Sequence, residues 1–404
     1  MAIRIGLYGI GGVYNFGCEA IIRGAVKFIK RIYPDALVIY FSNNYEYDKA
    51  ILKDVDIKII SIRQKPSLAK KVINKGLSFT RIEKRLFNIK FKEIMSQVDE
   101  IWSIGGDIYT IPAVKRERQR YKYYNHLIDF CNRAIDAGKE VVVYGASIGP
   151  FGNYKDAVQY YVKNLSRYRH IFCRENVTLN YLESLGLSNV SFFPDPAFQI
   201  SDGKSSRGND RYIGLNVSPL SLNEIYGNHN DKNVDMLAQI IDQIIEKFDK
   251  DILLIPHVIS KDENDDDLRF QNRVLKRIEN YNRVKIAEYN GGFLGLKPQL
   301  RECEFVVSAR MHCAINALVE NVPAIFLSYS QKSLGICEYV YGSQNWALKI
   351  NNIRDELIGK MLEMHKEINV VRNILRFRNH EIQLEYEKKI QSLINNGWKG
   401  NANS

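Results

Sequence analysis

Short apolar runs alternate with helix-like segments along the chain, and this alternation limits the possible folds more than any other feature. The strands predicted in the first half are Ile3–Tyr8, Ala36–Phe41, Ile57–Ile60, Glu100–Ile104, Glu140–Tyr144, His170–Cys173 and Val190–Phe193. The helices predicted between them are Cys18–Ile32, Arg116–Ala137, Lys155–Tyr168 and Asn176–Leu185. Strands that alternate with helices are typical of βαβ units around a parallel sheet.

A second series of the same kind follows the polar, glycine-containing segment Ser201–Asp210, which we interpret as a linker. Its predicted strands are Tyr212–Val217, Ile252–Pro256, Val284–Ile286, Phe305–Ser308 and Ala324–Leu327. Its predicted helices are Val234–Lys247, Leu268–Arg277, Leu296–Glu302 and Cys313–Glu320. The sequence therefore predicts two Rossmann-like α/β domains that face a cleft, residues 1–200 and 211–350. A helical segment, residues 351–396, is predicted to pack back across them.

The segment Arg310-Met311-His312 stands where a predicted strand ends and a predicted helix begins. In open α/β sheets, ligands bind beyond the carboxyl ends of the strands. The helix N-terminus there offers unpaired N–H groups and a partial positive charge, so an anion is the expected ligand. The planar guanidinium of Arg310 matches a carboxylate or a phosphate.

Three glycine-containing loops follow predicted strands of the first domain: Gly9–Glu19, Ser103–Asp107 and Ser147–Phe151. Their common position predicts one shared binding wall. The first loop lacks the Gly-x-Gly-x-x-Gly spacing and the later acidic residue of a dinucleotide site, so dinucleotide binding is not expected. Glu19 can accept sugar hydroxyls or can serve as a helix-dipole partner.

Other charged residues near strand ends each have a functional and a structural interpretation. Arg174 can reach the cleft or can pair internally with Glu175 or Asp195, His257 can contact a ligand or be a structural histidine, and Lys332 can complement Arg310 or be a surface residue. The acidic run Asp262–Asp267 lacks the glycine and terminal glutamate of an EF-hand, so we interpret it as a solvated loop and expect no metal site.

The net charge of +11 favours anionic partners. In Arg63–Lys92, basic residues alternate with apolar and aromatic ones, which is typical either of a helix on an anionic membrane or of a solvated helix face. No nucleic-acid-binding motif is present, so no nucleic acid partner is expected. Six scattered cysteines without a CxxC pair, together with an N-terminus without a signal-peptide pattern, predict a cytoplasmic protein with reduced thiols.

Taken in order, these loops resemble the polysaccharide pyruvyl transferase family. The resemblance rests on Gly9–Glu19 with its Asn-Phe-Gly-x-Glu core, on Gly105-Gly106-Asp107, and on Ser147–Phe151. It continues through Arg174-Glu175, Phe193-Pro194-Asp195-Pro196, Arg310-Met311-His312 and Tyr329–Lys332. It implies a GT-B-like fold with the acceptor side in residues 1–200 and the donor side in residues 211–350.

The resemblance also implies a reaction. A carboxyethylidene group would move from phosphoenolpyruvate to two hydroxyls of a sugar, giving a cyclic ketal and phosphate, with no resident cofactor and no metal. The acceptor would be a galactose-type sugar or a polyprenyl-diphosphate-linked oligosaccharide of a surface or capsular polysaccharide. The protein would be cytoplasmic, with a peripheral membrane contact through Arg63–Lys92.

The resemblance matches the family arginines to Arg174 and Arg310 and the family histidine to His312. The full set of residues expected to bind the donor is Arg174, Arg310, Met311, His312, Cys313 and Lys332, where Cys313 marks the helix N-terminus and Lys332 adds a positive charge. Arg310 and His312 are the expected catalytic residues, with His312 as general acid. The expected acceptor contacts are Gly11, Asn15, Glu19, Asp107 and His257, and the base is open among Glu19, Asp107 and His257. The alternative is a nucleotide-sugar-dependent glycosyltransferase, because a fold does not fix a function.

Overall fold

The computed structural model describes residues 2–62, 90–111, 116, 123–202, 208–227, 230–329 and 331–398. The chain divides into two compact units. Unit 1 comprises Met1–Gly12, Ile21–Pro196 and Lys388–Ser404, and unit 2 comprises Val13–Ala20 and Ala197–Glu387. The basic stretch 63–92 lies outside the described residues except for 90–92, so its predicted membrane role is not addressed by the structure.

Unit 1 contains a seven-stranded parallel sheet with the strand order β3-β2-β1-β4-β5-β6-β7. Its strands are β1 (Arg4–Tyr8), β2 (Leu37–Ser42), β3 (Lys58–Ser61), β4 (Glu100–Ile104), β5 (Glu140–Ala146), β6 (His170–Cys173) and β7 (Val190–Phe192). Its helices are α1 (Phe16–Ile32, which begins in unit 2), α2 (Tyr45–Ile51), α3 (Phe91–Gln97), α4 (His126–Asp136), α5 (Lys155–Leu165) and α6 (Asn176–Ser184).

Unit 2 contains a six-stranded parallel sheet with the order β10-β9-β8-β11-β12-β13. Its strands are β8 (Tyr212–Asn216), β9 (Asp251–Leu254), β10 (Val284–Ile286), β11 (Cys303–Ser308), β12 (Ala324–Ser328) and β13 (Ala347–Lys349). Its helices are α7 (Pro219–Tyr226), α8 (Asn230–Phe248), α9 (Asp267–Leu275), α10 (Gly292–Leu300), α11 (Met311–Val319), α12 (Gln331–Tyr341) and α13 (Ile353–Asn395), the last of which ends in unit 1.

The central strands are apolar and fully buried, as expected where helices cover both faces of a parallel sheet. In each sheet the chain order reverses next to the first strand, between β1 and β4 in unit 1 and between β8 and β11 in unit 2. These are the topological switch points at which α/β sheets bind ligands. The predicted class of two parallel α/β units with a C-terminal helix is confirmed.

Several elements differ from the predictions. The helix predicted from Arg116 is described from His126, because Asn125 is extended and its side chain accepts a hydrogen bond from Leu127 N as an N-cap. The predictions missed α12 and four shorter elements, α2, α3, α7 and β13. The long helix α13, by contrast, lies almost where the sequence places it.

The segment Val13–Ala20 belongs to unit 2 although it precedes most of unit 1 in the chain. Tyr14 O accepts a hydrogen bond from Ile259 N at 2.9 Å, and Phe16 N donates to His257 O at 3.0 Å. The sequence had placed these residues in the N-terminal domain. The difference arises from backbone pairing with a partner more than half the chain away, which local patterns do not report.

The described parts of the predicted linker 201–210 are bonded to unit 2. Asp202 forms a bidentate pair with Arg301 at 2.9 and 2.7 Å, and Asp210 forms a pair with Arg372 at 3.2 and 2.8 Å. The polar composition of this segment therefore reflects ion pairing with unit 2. Among the described residues, no helix is both long and apolar enough to cross a membrane.

The turn after β1 gives a test of the fold of unit 1. Gly9 has φ +122°, and a Cβ added there would lie 2.5 Å from the carbonyl oxygen of Ile104 at the end of β4. We expect Gly9→Ala to destabilise the protein by roughly 2–4 kcal/mol, since overpacking adds to an unfavourable backbone conformation. Urea unfolding followed by tryptophan fluorescence measures the loss.

The control for this prediction is Gly138→Ala. Gly138 follows α4 with φ +76°, and nothing lies within 4 Å of its added Cβ. The expected destabilisation is then only the cost of placing alanine at a positive φ, about 1 kcal/mol. Equal losses for the two variants would show that the β1–β4 contact does not constrain Gly9.

Candidate active site

The strand β11 and the helix α11 meet at Arg310, at the switch point of the unit 2 sheet. Arg310 is extended (φ −88°, ψ 111°) and is the N-cap residue of α11. Its backbone N–H donates to Asn216 Oδ1 at 2.9 Å, and its carbonyl accepts from Ser308 Oγ at 2.8 Å. The turn is thus fixed from β8 as well as from its own strand.

The guanidinium of Arg310 is bound by two aspartates at the start of α9. Its Nη2 lies 2.7 Å from Asp265 Oδ1 and 2.8 Å from Asp267 Oδ1, and its Nε lies 3.3 Å from the same Asp267 oxygen. Burial lowers the pKa of Arg310 but the two carboxylates raise it more, so that the pKa stands above its usual value. Arg310 is therefore a fixed positive charge at this edge of the sheet.

Only the first half of the acidic run is the solvated loop that the sequence predicted, because Asp262, Glu263 and Asn264 are exposed whereas Asp266 and Asp267 are not. Asp267 is completely buried, and its second oxygen accepts from His257 N, Val258 N and Asn216 Nδ2 at 3.0, 3.1 and 3.2 Å. Asp266 is also buried and caps α9 by accepting from Arg269 N at 2.7 Å. The prediction was wrong for Asp266 and Asp267 because the first finds its donor in α9 and the second finds donors at the end of β8 and just after β9 and β11.

His257 is buried beyond the end of β9, with its ring edge-on to Phe16 and Phe293 at centroid distances of 5.6 and 5.9 Å. Burial, and then the nearby His312 and Arg310, hold the pKa of His257 well below its usual value. Within the described part of the chain, its Nε2 has no hydrogen-bond partner. The neutral imidazole is thus a potential acceptor whose proton affinity is weak.

The segment Val13–Ala20 lies against this group of residues. A Cβ added to Gly17 would lie 2.6 Å from His312 Nδ1, so the ring packs directly on the glycine backbone. Asn15 Oδ1 accepts from Gly17 N at 3.0 Å and shapes the start of α1. The segment therefore forms one wall of the unit 2 site.

Glu19, which the sequence predicted either to contact acceptor hydroxyls or to serve as a helix-dipole partner, lies against α10. It is completely buried, and its Oε2 accepts from Phe293 N at 2.8 Å in the first turn of α10. Gly292 adopts φ +61° beside it, and a Cβ there would clash with the same carboxylate. The structure thus favours the helix-dipole interpretation, although the partner helix is α10 and not α1.

The remaining predicted donor residues of unit 2 differ in accessibility. His312 and Met311 are half-buried in the first turn of α11, and Lys332 is half-buried in the first turn of α12. Cys313 is part of the core instead. Burial raises the pKa of its thiol to about 12, and its backbone N–H donates to Arg310 O at 2.9 Å. Neither group of Cys313 is available to an anion.

In unit 1, Arg174 follows β6 and is 2% exposed. Its Nη1 lies 3.0 Å from Asp195, its Nη2 lies 3.2 Å from Asp107, and its Nε donates to Ser147 Oγ at 2.8 Å. These carboxylates, together with Glu175, raise the pKa of Arg174 against the opposing effect of burial. The internal ion pair considered from the sequence is therefore present.

The predicted acceptor residues are divided between the units. Asp107 and the exposed Gly11 belong to unit 1, whereas Asn15, Glu19 and His257 belong to unit 2. The sequence analysis missed Asn216, Asp265 and Asp267, all of which contact Arg310. A signal existed for two of them: Asn216 ends an apolar strand, and the acidic run immediately precedes an amphipathic helix, where capping residues are expected.

Solved structures with the same fold span nearly the whole chain. Anabaena Alr3699/HepE in complex with UDP-glucose is 12% identical, with 97% of this chain and 100% of that chain covered and a TM-score of 0.57. The S. aureus MnaA–UDP co-structure is 11% identical, with coverage of 96% and 98% and a TM-score of 0.57. A glycosyltransferase from Rickettsia africae is 15% identical, with coverage of 99% and 99% and a TM-score of 0.55. The fold is therefore of the GT-B class.

Sequence comparison defines the family. The family model for polysaccharide pyruvyl transferase matches residues 15–331, and the chain belongs to that family. The amylovoran biosynthesis protein AmsJ of Erwinia amylovora is 21% identical over 301 residues, which is 69% of each chain. The protein is accordingly an enzyme, a transferase that acts in polysaccharide biosynthesis.

The depressed pKa of His257 predicts how the stability of unit 2 depends on pH. An ordinary histidine titrates near pH 6.5, so as the pH falls the unfolded chain binds the proton first. The free energy of unfolding should therefore decrease below about pH 6.5, by up to about 1.4 kcal/mol per pH unit from this residue. His257→Phe should make that acid slope shallower.

Urea unfolding at a series of pH values measures the slope. The control is His380→Phe, at an exposed position of α13, which should keep the wild-type slope. An NMR titration of the folded protein provides an independent test. A His257 ring signal that titrates between pH 5 and 8 would contradict the assignment of a neutral, buried imidazole.

Proposed function

We propose that this transferase moves a carboxyethylidene group from phosphoenolpyruvate to two hydroxyls of a sugar, and that it releases phosphate. The acceptor is a galactose-type sugar of a surface or capsular polysaccharide, in free or polyprenyl-diphosphate-linked form. Membership of the pyruvyl transferase family supports pyruvyl transfer. The observation that carries the proposal is the position of Arg310 and His312 on the first turn of α11 at the unit 2 switch point.

The electrostatics of this edge suit a small anion with several negative charges. Arg310 is held charged, the first turn of α11 contributes its dipole, and Lys332 lies in the first turn of α12, which follows the neighbouring strand β12. Phosphoenolpyruvate carries a carboxylate and a phosphate close together. A cationic site of this kind stabilises the charge that develops on the leaving phosphate. We also propose Arg174, whose guanidinium is likewise held by carboxylates, as a donor ligand.

The reaction requires one proton at the methylene carbon of phosphoenolpyruvate. Protonation converts the methylene to a methyl group and leaves C2 with oxocarbenium character. One sugar hydroxyl adds to C2, the bond between C2 and the phosphate oxygen breaks, and the second hydroxyl closes the ketal. The two hydroxyl protons balance the proton taken up by carbon and the proton gained by the phosphate.

His312 is the proposed general acid, either toward the methylene carbon or toward the leaving phosphate. It is half-buried, and its ring packs against the backbone of Gly17, which fixes its direction. Glu19, Asp107 and His257 are the proposed candidates for the base. Of these, His257 is neutral and buried, so it suits acceptance of a hydrogen bond from a hydroxyl more than storage of a proton.

The first experiment is phosphate release from phosphoenolpyruvate across a panel of β-galactoside, mannose and N-acetylmannosamine acceptors. We expect His312→Ala to lower kcat by at least about 100-fold, the usual contribution of a general acid. The variant should still bind phosphoenolpyruvate in a calorimetric titration. His380→Ala, at an exposed site on α13, is the matched control and should keep wild-type turnover.

Near-normal turnover by His312→Ala would contradict the assignment of the acid. No phosphate release by wild-type protein with any acceptor of the panel, together with no binding of phosphoenolpyruvate, would contradict the proposed donor. A loss of folding in the variant is recognised separately, from its thermal midpoint.

The second candidate function is a nucleotide-sugar-dependent glycosyltransferase of the GT-B class. The observation that favours it is the fold shared with HepE bound to UDP-glucose and with MnaA bound to UDP. This function predicts that a nucleoside diphosphate raises the thermal midpoint of the protein and that phosphoenolpyruvate does not. The pyruvyl transferase proposal predicts the reverse.

The cellular site is also a proposal. We propose that the enzyme is cytoplasmic and that Arg63–Lys92 contacts the anionic inner face of the membrane, where a lipid-linked acceptor would be located. The charge pattern of this stretch supports the contact. Sedimentation with vesicles that contain anionic lipid, compared with neutral vesicles, tests it.

A further inference from the structure

Arg310 uses only part of its hydrogen-bonding capacity within the protein. Nε and Nη2 both donate to Asp267 Oδ1, and Nη2 also donates to the side chain and the carbonyl oxygen of Asp265. Its Nη1 has no hydrogen-bond partner among the described residues. The edge formed by Nη1 and Nη2 is the one on which a carboxylate or phosphate could bind with two parallel hydrogen bonds.

The two aspartates are held in different ways. Asp267 is completely buried, and in addition to Arg310 it accepts hydrogen bonds from Asn216, His257 and Val258. The Asp265 side chain is 30% exposed and lies on a short 3-10 turn, Glu263–Asp265. Its carboxylate is bonded, within the described residues, to Arg310 alone. One carboxylate is therefore anchored by several elements, whereas the other can turn into solvent when a single contact is lost.

We infer that Asp265 occupies the place of the substrate anion when the site is empty, and that a bound carboxylate or phosphate displaces it from Arg310. Asp267 stays in place and is the positioning residue that orients the guanidinium in both states. The inference rests on the proposed function for the identity of the anion, phosphoenolpyruvate. It does not rest on it for the exchange itself, which any bidentate oxyanion at Arg310 would cause.

The charges explain why two aspartates are needed. Arg310 is largely buried, and a buried charge with too few partners is costly. Asp267 supplies one fixed negative charge, and Asp265 supplies a second only while no ligand is present. An incoming bidentate anion replaces the single Asp265 side-chain contact at Nη2 and adds a second contact at Nη1, so the guanidinium keeps a second anionic partner when Asp265 leaves. The measured affinity is then the difference between the two interactions, which keeps binding reversible.

Asp265→Asn tests the exchange. The neutral amide competes less well than the carboxylate for the guanidinium. The Asp265→Asn variant should therefore bind the anion about tenfold more tightly than wild type, a change that corresponds to the weakest hydrogen bonds to charged groups. The probes are phosphoenolpyruvate, inorganic phosphate and UDP, each titrated by calorimetry well below the thermal midpoint. A crystal soaked with the bound probe should show the Asp265 carboxylate turned away from Arg310.

The matched control is Asp262→Asn. Asp262 is exposed in the same loop and caps the 3-10 turn by accepting from Asn264 N at 3.0 Å, a role that asparagine also fills. This variant removes one negative charge close by without touching Arg310. Equal affinity gains in the two variants would mean that net charge alone is responsible, and this would overturn the exchange. An unchanged or weakened affinity in Asp265→Asn would overturn it as well.

Asp267→Asn tests the positioning role. Loss of the fixed carboxylate should weaken probe binding by about tenfold or more, because the guanidinium loses its orientation. The thermal midpoint should also fall, but a purely structural residue would lower only the midpoint and would leave the affinity of the folded protein intact. The exchange therefore predicts tighter probe binding in Asp265→Asn and weaker probe binding in Asp267→Asn.

The probes separate this inference from the proposed function. If Asp265→Asn binds UDP more tightly and phosphoenolpyruvate no better, the exchange is supported and the proposed donor is wrong. If phosphoenolpyruvate supports turnover but none of the three probes binds Asp265→Asn more tightly than Asp262→Asn, the proposed function is retained and the exchange is wrong.

Discussion

The buried carboxylate of Asp267 is the contact on which the unit 2 site depends. It accepts hydrogen bonds from Asn216 at the end of β8, from the backbone of His257 and Val258 after β9, and from Arg310 after β11. A buried charge without partners costs several kcal/mol, so this carboxylate is stable only with its donors in place. The ends of three neighbouring strands are thereby held in one arrangement, and the direction of the guanidinium is set before any ligand arrives.

In unit 1 a buried cation, and not a buried carboxylate, holds the strand ends together. There a buried cation, Arg174, is surrounded by Asp195, Asp107 and Ser147. These four residues follow the carboxyl ends of four strands, β4 to β7. In each unit the ionic group crosses between neighbouring strand ends and so fixes loops that the sheet alone does not fix. The sheets supply the positions, and the buried ion pairs supply the orientation of the polar groups at the edge.

The sequence predicted much of the fold and only part of the site. Strands such as β4 and β6 were found with their observed bounds, because a buried parallel strand is a short apolar run between polar turns. The position of Arg310 and His312 between a strand and a helix was also predicted, because a polar pair at such a junction is a local pattern. Their catalytic roles stay a prediction. Asp267 was not found. Its burial depends on donors 43 and 51 residues away in the chain, and a polar run looks the same whether its partners are water or protein.

The position of Val13–Ala20 shows the same limit and also explains why distant motifs belong together. His312 packs so closely on Gly17 that a methyl group there would meet the ring, and Glu19 occupies the space that a side chain at Gly292 would need. Two glycines far apart in the chain are thus required by the side chains that face them. The Asn-Phe-Gly-x-Glu and Arg-Met-His segments, which the sequence shows as separate patterns, are two sides of one packed contact in unit 2. A change on either side alone would displace the imidazole, because neither the glycine backbone nor the first turn of a buried helix has room to adjust.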